Sequence, residues 1–341
     1  MKNKVLVTGG TGFLGMRIIS ELLKEGYEVR TTLRALSNKH KVLETMQQHE
    51  ISTEKLSFIE ADLSKDDNWE QAMDECLYVL SVASPVFFDI PKDEQAVIKP
   101  AIEGIQRILK FANQSGVKRV VMTSNFGAVG FSNKDKQSIT TEANWTNEQE
   151  AGLSAYEKSK LLAEKAAWAF INKDDTQLEF ATINPVAIFG PSLDGHISGS
   201  FHLISNLISG EMKRVPHIPL NVVDVRDVAK MHVLAMTKPE ANGKRFIASA
   251  DGQIALPEIA QLLKDQRPAL SEKVSVQTVP NFILTFSALF NKQAKEGKLL
   301  LEMNRNVSNQ QAKTVLGWTP IANQEEAILN AVDSMKQYDL I

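Results

Sequence analysis

The chain has 341 residues, 43% apolar and 23% charged, with a formal net charge of -3. That composition suits a globular protein of one large domain, or of one domain with an appended lobe. Its 38 basic and 41 acidic residues exclude bulk attraction to nucleic acid, though not a few local charges for a small anion. The single cysteine, Cys76, rules out an intramolecular disulfide and a cysteine-based zinc site, and its apolar neighbours predict a buried thiol. Met1-Lys2-Asn3-Lys4 leads directly into a strand without a secretory apolar region. The apolar stretch Phe282 to Phe290 is shorter than the about 20 residues that span a bilayer. These features predict a soluble, cytoplasmic protein with no membrane partner.

The first predicted strand, Val5–Thr8, runs into Thr8-Gly9-Gly10-Thr11-Gly12-Phe13-Leu14-Gly15. Gly9, Gly12 and Gly15 stand three apart where a helix opens, with Leu14, Ile18 and Leu22 on one face and Gly26 as its stop. A glycine turn between a first strand and a first helix brings backbone close to a pyrophosphate. It also aims free N–H groups and a partial positive charge at that group. The turn therefore predicts dinucleotide binding through Gly9, Thr11, Gly12, Phe13, Leu14 and Gly15.

The second strand, Tyr27–Leu33, ends at Arg34 with no carboxylate to hold a ribose 2′-hydroxyl. Arg34 can fork onto a 2′-phosphate and Lys41 can add a point charge, so the expected cofactor is NADP(H). A third strand, Leu56–Glu60, is followed by Asp62, which suits either an adenine contact or a helix cap. Further strands are expected at Leu77–Val82, Val117–Thr123 and Phe180–Asn184. A helix is expected over Glu94 to Gln114 despite Gly104, and another over Ser154 to Ile171. Strand and helix alternate, which gives an α/β fold: a doubly wound parallel sheet of Rossmann type.

Beyond Asn184 the pattern loosens. Gly190-Pro191, Gly195, Gly199 and Gly210 mark an excursion, and Val222 to Ala229 is expected to return to the sheet. Ala255 to Leu300 carries helical patterns that predict a smaller, mostly helical lobe. The expected division is a cofactor-binding domain over residues 1–185, with returning segments near 220–250. The substrate lobe takes about 186–219 and 251–341, interwoven with it. The six histidines form no metal pattern: His40 and His49 sit in polar sequence and His232 reads as structural, while His196, His202 and His217 fall in or beside the excursion. Phe87, Phe88, Phe131 and Phe201 are candidates for an apolar substrate pocket.

Tyr156-Glu157-Lys158-Ser159-Lys160 places a phenol and an ammonium four residues apart, on one face of a helix. Such a pair suits carbonyl reduction, with the tyrosine protonating the developing alkoxide and the lysine stabilising the phenolate. Moving a phenol about three units toward neutrality takes roughly 4 kcal/mol.

Taken with the glycine turn, these residues resemble an extended short-chain dehydrogenase/reductase of the dihydroflavonol reductase, cinnamoyl-CoA reductase and aldehyde reductase branch. Other segments that carry the resemblance are Val82-Ala83-Ser84-Pro85, Val120-Val121-Met122-Thr123-Ser124, Asn184-Pro185, Gly190-Pro191, Val223 to Ala229 and Leu316-Gly317-Trp318. The resemblance implies NADP(H) and a small carbonyl substrate under the C-terminal lobe, in a monomer or a homodimer. It further implies cofactor contacts from Leu63, Ala83, Ser84, Pro85, Thr123, Pro185, Ile188 and Ser200, besides Tyr156 and Lys160. The family pattern has two serines after the fifth strand, the second bonding the substrate carbonyl. This chain has Ser124-Asn125 there, so Asn125 becomes the expected third member, with Ser124 as its substitute. A sugar-nucleotide epimerase or dehydratase, for which Lys213-Arg214 is a faint hint, and a non-catalytic cofactor sensor are the competing readings.

Overall fold

The structure is a computed structural model that describes residues 4–84, 93–173, 176–288 and 291–341. Pro85, Phe87 and Phe88 lie outside them. Six strands follow in chain order: β1 (Lys4–Val7), β2 (Glu28–Leu33), β3 (Leu56–Glu60), β4 (Cys76–Ser81), β5 (Arg119–Thr123) and β6 (Glu179–Pro185). With Lys244–Ala248 they form a seven-stranded sheet, ordered Lys244–Ala248, β6, β5, β4, β1, β2, β3. Every neighbouring pair is parallel.

The central strands β1, β4 and β5 are mostly apolar because both faces are covered. Val5, Val7, Leu80 and Val121 join a core with α1 (Phe13–Lys24), α2 (Lys39–Gln48) and α7 (Val225–Thr237). Leu6, Val79, Val120 and Met122 point the other way, toward α3 (Trp69–Met73), α4 (Gln95–Gln114) and α5 (Ala155–Ile171). α4 runs unbroken through Gly104, which packs against Leu63. Cys76 is buried in β4, and its thiol is pushed up to about 11 by desolvation.

The expected return to the sheet at Val222 to Ala229 is corrected. Among the described residues Val222–Asp224 pairs with the short strand Ala187–Phe189, apart from the main sheet. Asp224 then caps α7, its Oδ1 accepting from Arg226 N at 2.8 Å. The chain rejoins the main sheet at Lys244–Ala248. The later helices are α6 (Phe201–Ile208), α8 (Leu256–Gln266), α9 (Asn281–Ser287), α10 (Lys292–Glu302) and α11 (Gln324–Gln337). No helix among the described residues is long and apolar enough to cross a membrane.

The strand order reverses between β1 and β4. Such a switch point opens a crevice beyond the carboxyl ends of the strands, where doubly wound sheets bind ligands.

Candidate active site

The glycine turn lies at that switch point. Thr8 ties the two strand ends together, its hydroxyl oxygen accepting from Val82 N and Ala83 N at 2.9 Å each. Gly9 adopts φ +76°, and a Cβ there would come within 3.1 Å of the Ala83 methyl. A Cβ on Gly15 would sit 2.3 Å from the Gly9 carbonyl oxygen, so α1 rests directly on the turn. The N-cap of α1 is Gly12, which offers no side-chain acceptor. Its first N–H groups are thus available to an anion. Bare backbone, an uncapped helix start and the adjoining Ala83 fit the pyrophosphate of a dinucleotide.

Phe13 and Leu14 turn inward, and Phe13 meets Phe201 edge-on at 5.3 Å between ring centres. Phe201 also packs on Phe189 and is fully buried, which corrects its expected place on a pocket wall. Ser200 immediately precedes Phe201 at the start of α6. Phe131 is half-buried against Phe126. Arg34 is exposed just past β2, while Lys41 pairs with Asp194 at 3.0 Å. Asp62 caps a turn and not a helix, accepting from Ser64 N at 2.8 Å and from its hydroxyl at 2.7 Å. Those bonds, with Arg34 among the nearby cations, hold its carboxyl below the usual range.

The second cluster gathers where β5 ends against α5. Ser154 caps α5 by accepting from Glu157 N, which puts Tyr156 in the first turn and Lys160 one turn later. Lys160 is buried and donates to the Thr123 carbonyl at 3.3 Å. Its ammonium lies 6.0 Å from the centre of the Tyr156 ring. Desolvation pulls the lysine down to about 8, and Glu164 opposes that pull. The Tyr156 phenol is pushed up to about 12 by desolvation and by Glu157, which corrects the expected shift toward neutrality, while the Asn125 side chain favours the phenolate. Tyr156 is 44% exposed, so water screens part of that upward push. Glu157 itself is raised to about 7, by desolvation first and Glu296 next.

Asn125 stands beside the phenol, and its Oδ1 is buried with no hydrogen-bond partner among the described residues. Ser124 faces different company, since its hydroxyl donates to Glu164 Oε2 at 2.5 Å. Thr123 Oγ1 lies 2.7 Å from His232 Nε2, and burial lowers that ring to about 4, so His232 is a neutral structural histidine. Pro185 ends β6 beside Asn184, and Ile188 belongs to the short strand paired with Val222–Asp224. Ser84 is half-buried past β4. Among the described residues no group of three or more histidines, cysteines or carboxylates could hold a metal.

Sequence reasoning missed the carboxylate of Glu164 and the guanidinium of Arg245. They pair at 2.7 Å behind Ser124 and Asn184. A glutamate on a helix and an arginine heading a strand each read as solvent-facing, so only the tertiary fold reveals them.

Residues 6–253 match the 3-beta hydroxysteroid dehydrogenase/isomerase family. The anthocyanidin reductase of Arabidopsis thaliana is 33% identical over 307 residues, covering 85% of this chain and 88% of that one. The NADPH-dependent methylglyoxal reductase of Saccharomyces cerevisiae is 33% identical over 297 residues, covering 80% of this chain and 85% of that one. The crystal structure of yeast methylglyoxal/isovaleraldehyde reductase complexed with NADPH superposes with a TM-score of 0.81 at 28% identity, covering 99% of this chain and 100% of that one. The chain therefore belongs to the 3-beta hydroxysteroid dehydrogenase/isomerase family, as an extended short-chain dehydrogenase/reductase of the dihydroflavonol and aldehyde reductase branch.

Proposed function

We propose that the protein is an NADPH-dependent reductase of small aldehydes or ketones, with Tyr156 as proton donor and Lys160 as its electrostatic partner. The observation that carries this reading is the cluster at the end of β5. A protonated phenol, a buried ammonium tied to the Thr123 carbonyl and the Asn125 side chain, which hydrogen-bonds the phenol and leaves its buried Oδ1 unpartnered among the described residues, meet there. Relatives that use NADPH on carbonyl compounds support it.

When bound, the reduced nicotinamide supplies the hydride. The residues of this chain do the rest. With a phenol pKa well above neutrality, Tyr156 carries the proton that the alkoxide needs. Asn125 Nδ2 is the donor that polarises the carbonyl, because the Ser124 hydroxyl is committed to Glu164. Lys160, cationic up to about pH 8, stabilises the phenolate that remains. Gly9 to Gly15 hold the pyrophosphate, and Arg34 meets the 2′-phosphate, with Lys41 shared between that group and Asp194.

The direct test is NADPH oxidation by purified protein against a panel of aromatic and aliphatic aldehydes and ketones, with NADH in parallel. Turnover that prefers NADPH is expected; tight NADPH binding with no turnover on any member would favour a cofactor sensor instead. Replacing Arg34 by Ser removes the fork at the adenosine end. A charge-assisted hydrogen bond is worth about 1.5–3 kcal/mol, so the ratio of kcat/KM for NADPH over NADH should fall at least about tenfold. An unchanged ratio would move the 2′-phosphate contact away from Arg34.

A further inference from the structure

We propose that Glu164 is the positioning residue of this site, fixing Asn125 from behind through Ser124 and Asn184 and providing Lys160 with its buried counter-charge. The proposal rests on the Tyr156–Lys160 reading above and extends it to the layer beneath.

Glu164 lies one helical turn beyond Lys160 on α5 and is fully buried. Its Oε2 accepts from the Ser124 hydroxyl at 2.5 Å and from Asn184 Nδ2 at 2.7 Å. Its Oε1 accepts from Arg245 Nε at 2.7 Å, Thr182 Oγ1 at 3.1 Å and Trp168 Nε1 at 3.3 Å. One carboxylate thus ties together α5, the ends of β5 and β6, and the strand Lys244–Ala248. The same Asn184 amide reaches the Asn125 carbonyl at 3.2 Å, so the backbone that presents the substrate-polarising amide hangs from this carboxylate.

Arg245 extends the grip. Its Nη1 donates to the carbonyls of Glu142 at 2.8 Å and Asn144 at 2.7 Å, and its Nη2 to Ala128 at 3.3 Å. Trp145 lies over the guanidinium at 3.6 Å. A buried ion pair of this kind is weak evidence for stability, since apolar residues of equal volume often serve as well or better. Two of its contacts here, the Ser124 hydroxyl and the Ala128 carbonyl, flank Asn125. Lys160 meets the Thr123 carbonyl from β5, with neutral His232 of α7 behind that residue, and the Tyr156 ring on its own helix. Glu164 is the charged group that favours the ammonium against desolvation.

The test uses Glu164→Gln, the double variant Glu164→Gln/Arg245→Met and Ser124→Ala, assayed across the pH range with the best substrate of the panel. Displacing a reacting group by about 1 Å can cost about a hundredfold in rate, and that is the expected fall in kcat for Glu164→Gln, with NADPH affinity retained. Removing a carboxylate that favours the ammonium lowers the lysine pKa, so the alkaline fall in activity must move to lower pH. The double variant removes the uncompensated guanidinium and should show the same two changes if the single variant folds poorly. Ser124→Ala keeps the carboxylate; its kcat should fall about tenfold while the alkaline limb stays in place. Parent-like kcat and pH profile in a folded Glu164 variant overturns the proposal, as does a loss that only tracks the folded fraction. If neither Glu164 variant folds, parent-like kcat in Ser124→Ala overturns it. Tyr156→Phe run alongside separates the two ideas. An active Tyr156→Phe sinks the reading beneath, whereas an inactive one beside a parent-like Glu164→Gln sinks only the positioning role.

Discussion

Replacing Tyr156 by Phe should lower kcat about a thousandfold while leaving NADPH affinity within about twofold, because one oxygen is lost and only the proton transfer needs it. The ring survives, so its packing near the Lys160 ammonium is kept. Stability should change little, since the residue is 44% exposed and its hydroxyl holds up no part of the core. NADPH titration by fluorescence, followed by turnover of the same sample, checks both halves. If kcat is retained, another group supplies the proton; Glu157, adjacent and raised to about 7, would be the next candidate. If affinity and turnover fall together, the hydroxyl acts chiefly in holding the cofactor.

The elements that frame this site were legible for a plain reason. The central strands β1, β4 and β5 are short, mostly apolar runs with buried residues on both faces. The Ser154 cap and the four-residue spacing of Tyr156 and Lys160 are local, so the sequence alone predicts their shared helix face. Legibility ended where polar residues take interior places. Val222 to Ala229 alternates like a strand, yet Asp224 caps a helix and halts the strand after three residues. The capping signal lay in Asp224 itself, followed three residues on by Asp227. Lys244–Ala248 opens with two cations and does not resemble a buried strand. Arg245 is admitted to the interior because Glu164 neutralises it there, 81 positions away. Ser124 and Asn125 show the same limit: their order is plain, but only the fold reveals that Ser124 serves the carboxylate beneath and leaves Asn125 beside the phenol.

The second large effect is expected at Gly15, where a single methyl group should disable the cofactor site. A Cβ there would stand 2.3 Å from the Gly9 oxygen and 3.2 Å from its carbonyl carbon. Both are backbone atoms, and the same oxygen accepts from Gly12 N at 3.0 Å, so the turn cannot yield without losing its shape. Overpacking of this kind costs about 1–3 kcal/mol, and pushing the helix start away from the turn should weaken NADPH binding at least about tenfold. Gly15→Ala should therefore lower both Tm and affinity, measured by thermal melting with and without NADPH. Gly12→Ala is the internal control, because its Cβ would meet the same oxygen at the softer distance of 3.3 Å. Gly10→Ala separates shape from strain: its methyl would strike Thr31 Oγ1 at 2.3 Å, a side chain that can itself be shortened. Adding Thr31→Ala should restore part of the affinity lost in Gly10→Ala and none of that lost in Gly15→Ala. Equal rescue of both would mean that the turn tolerates displacement of α1, and that cofactor affinity is set elsewhere in the crevice.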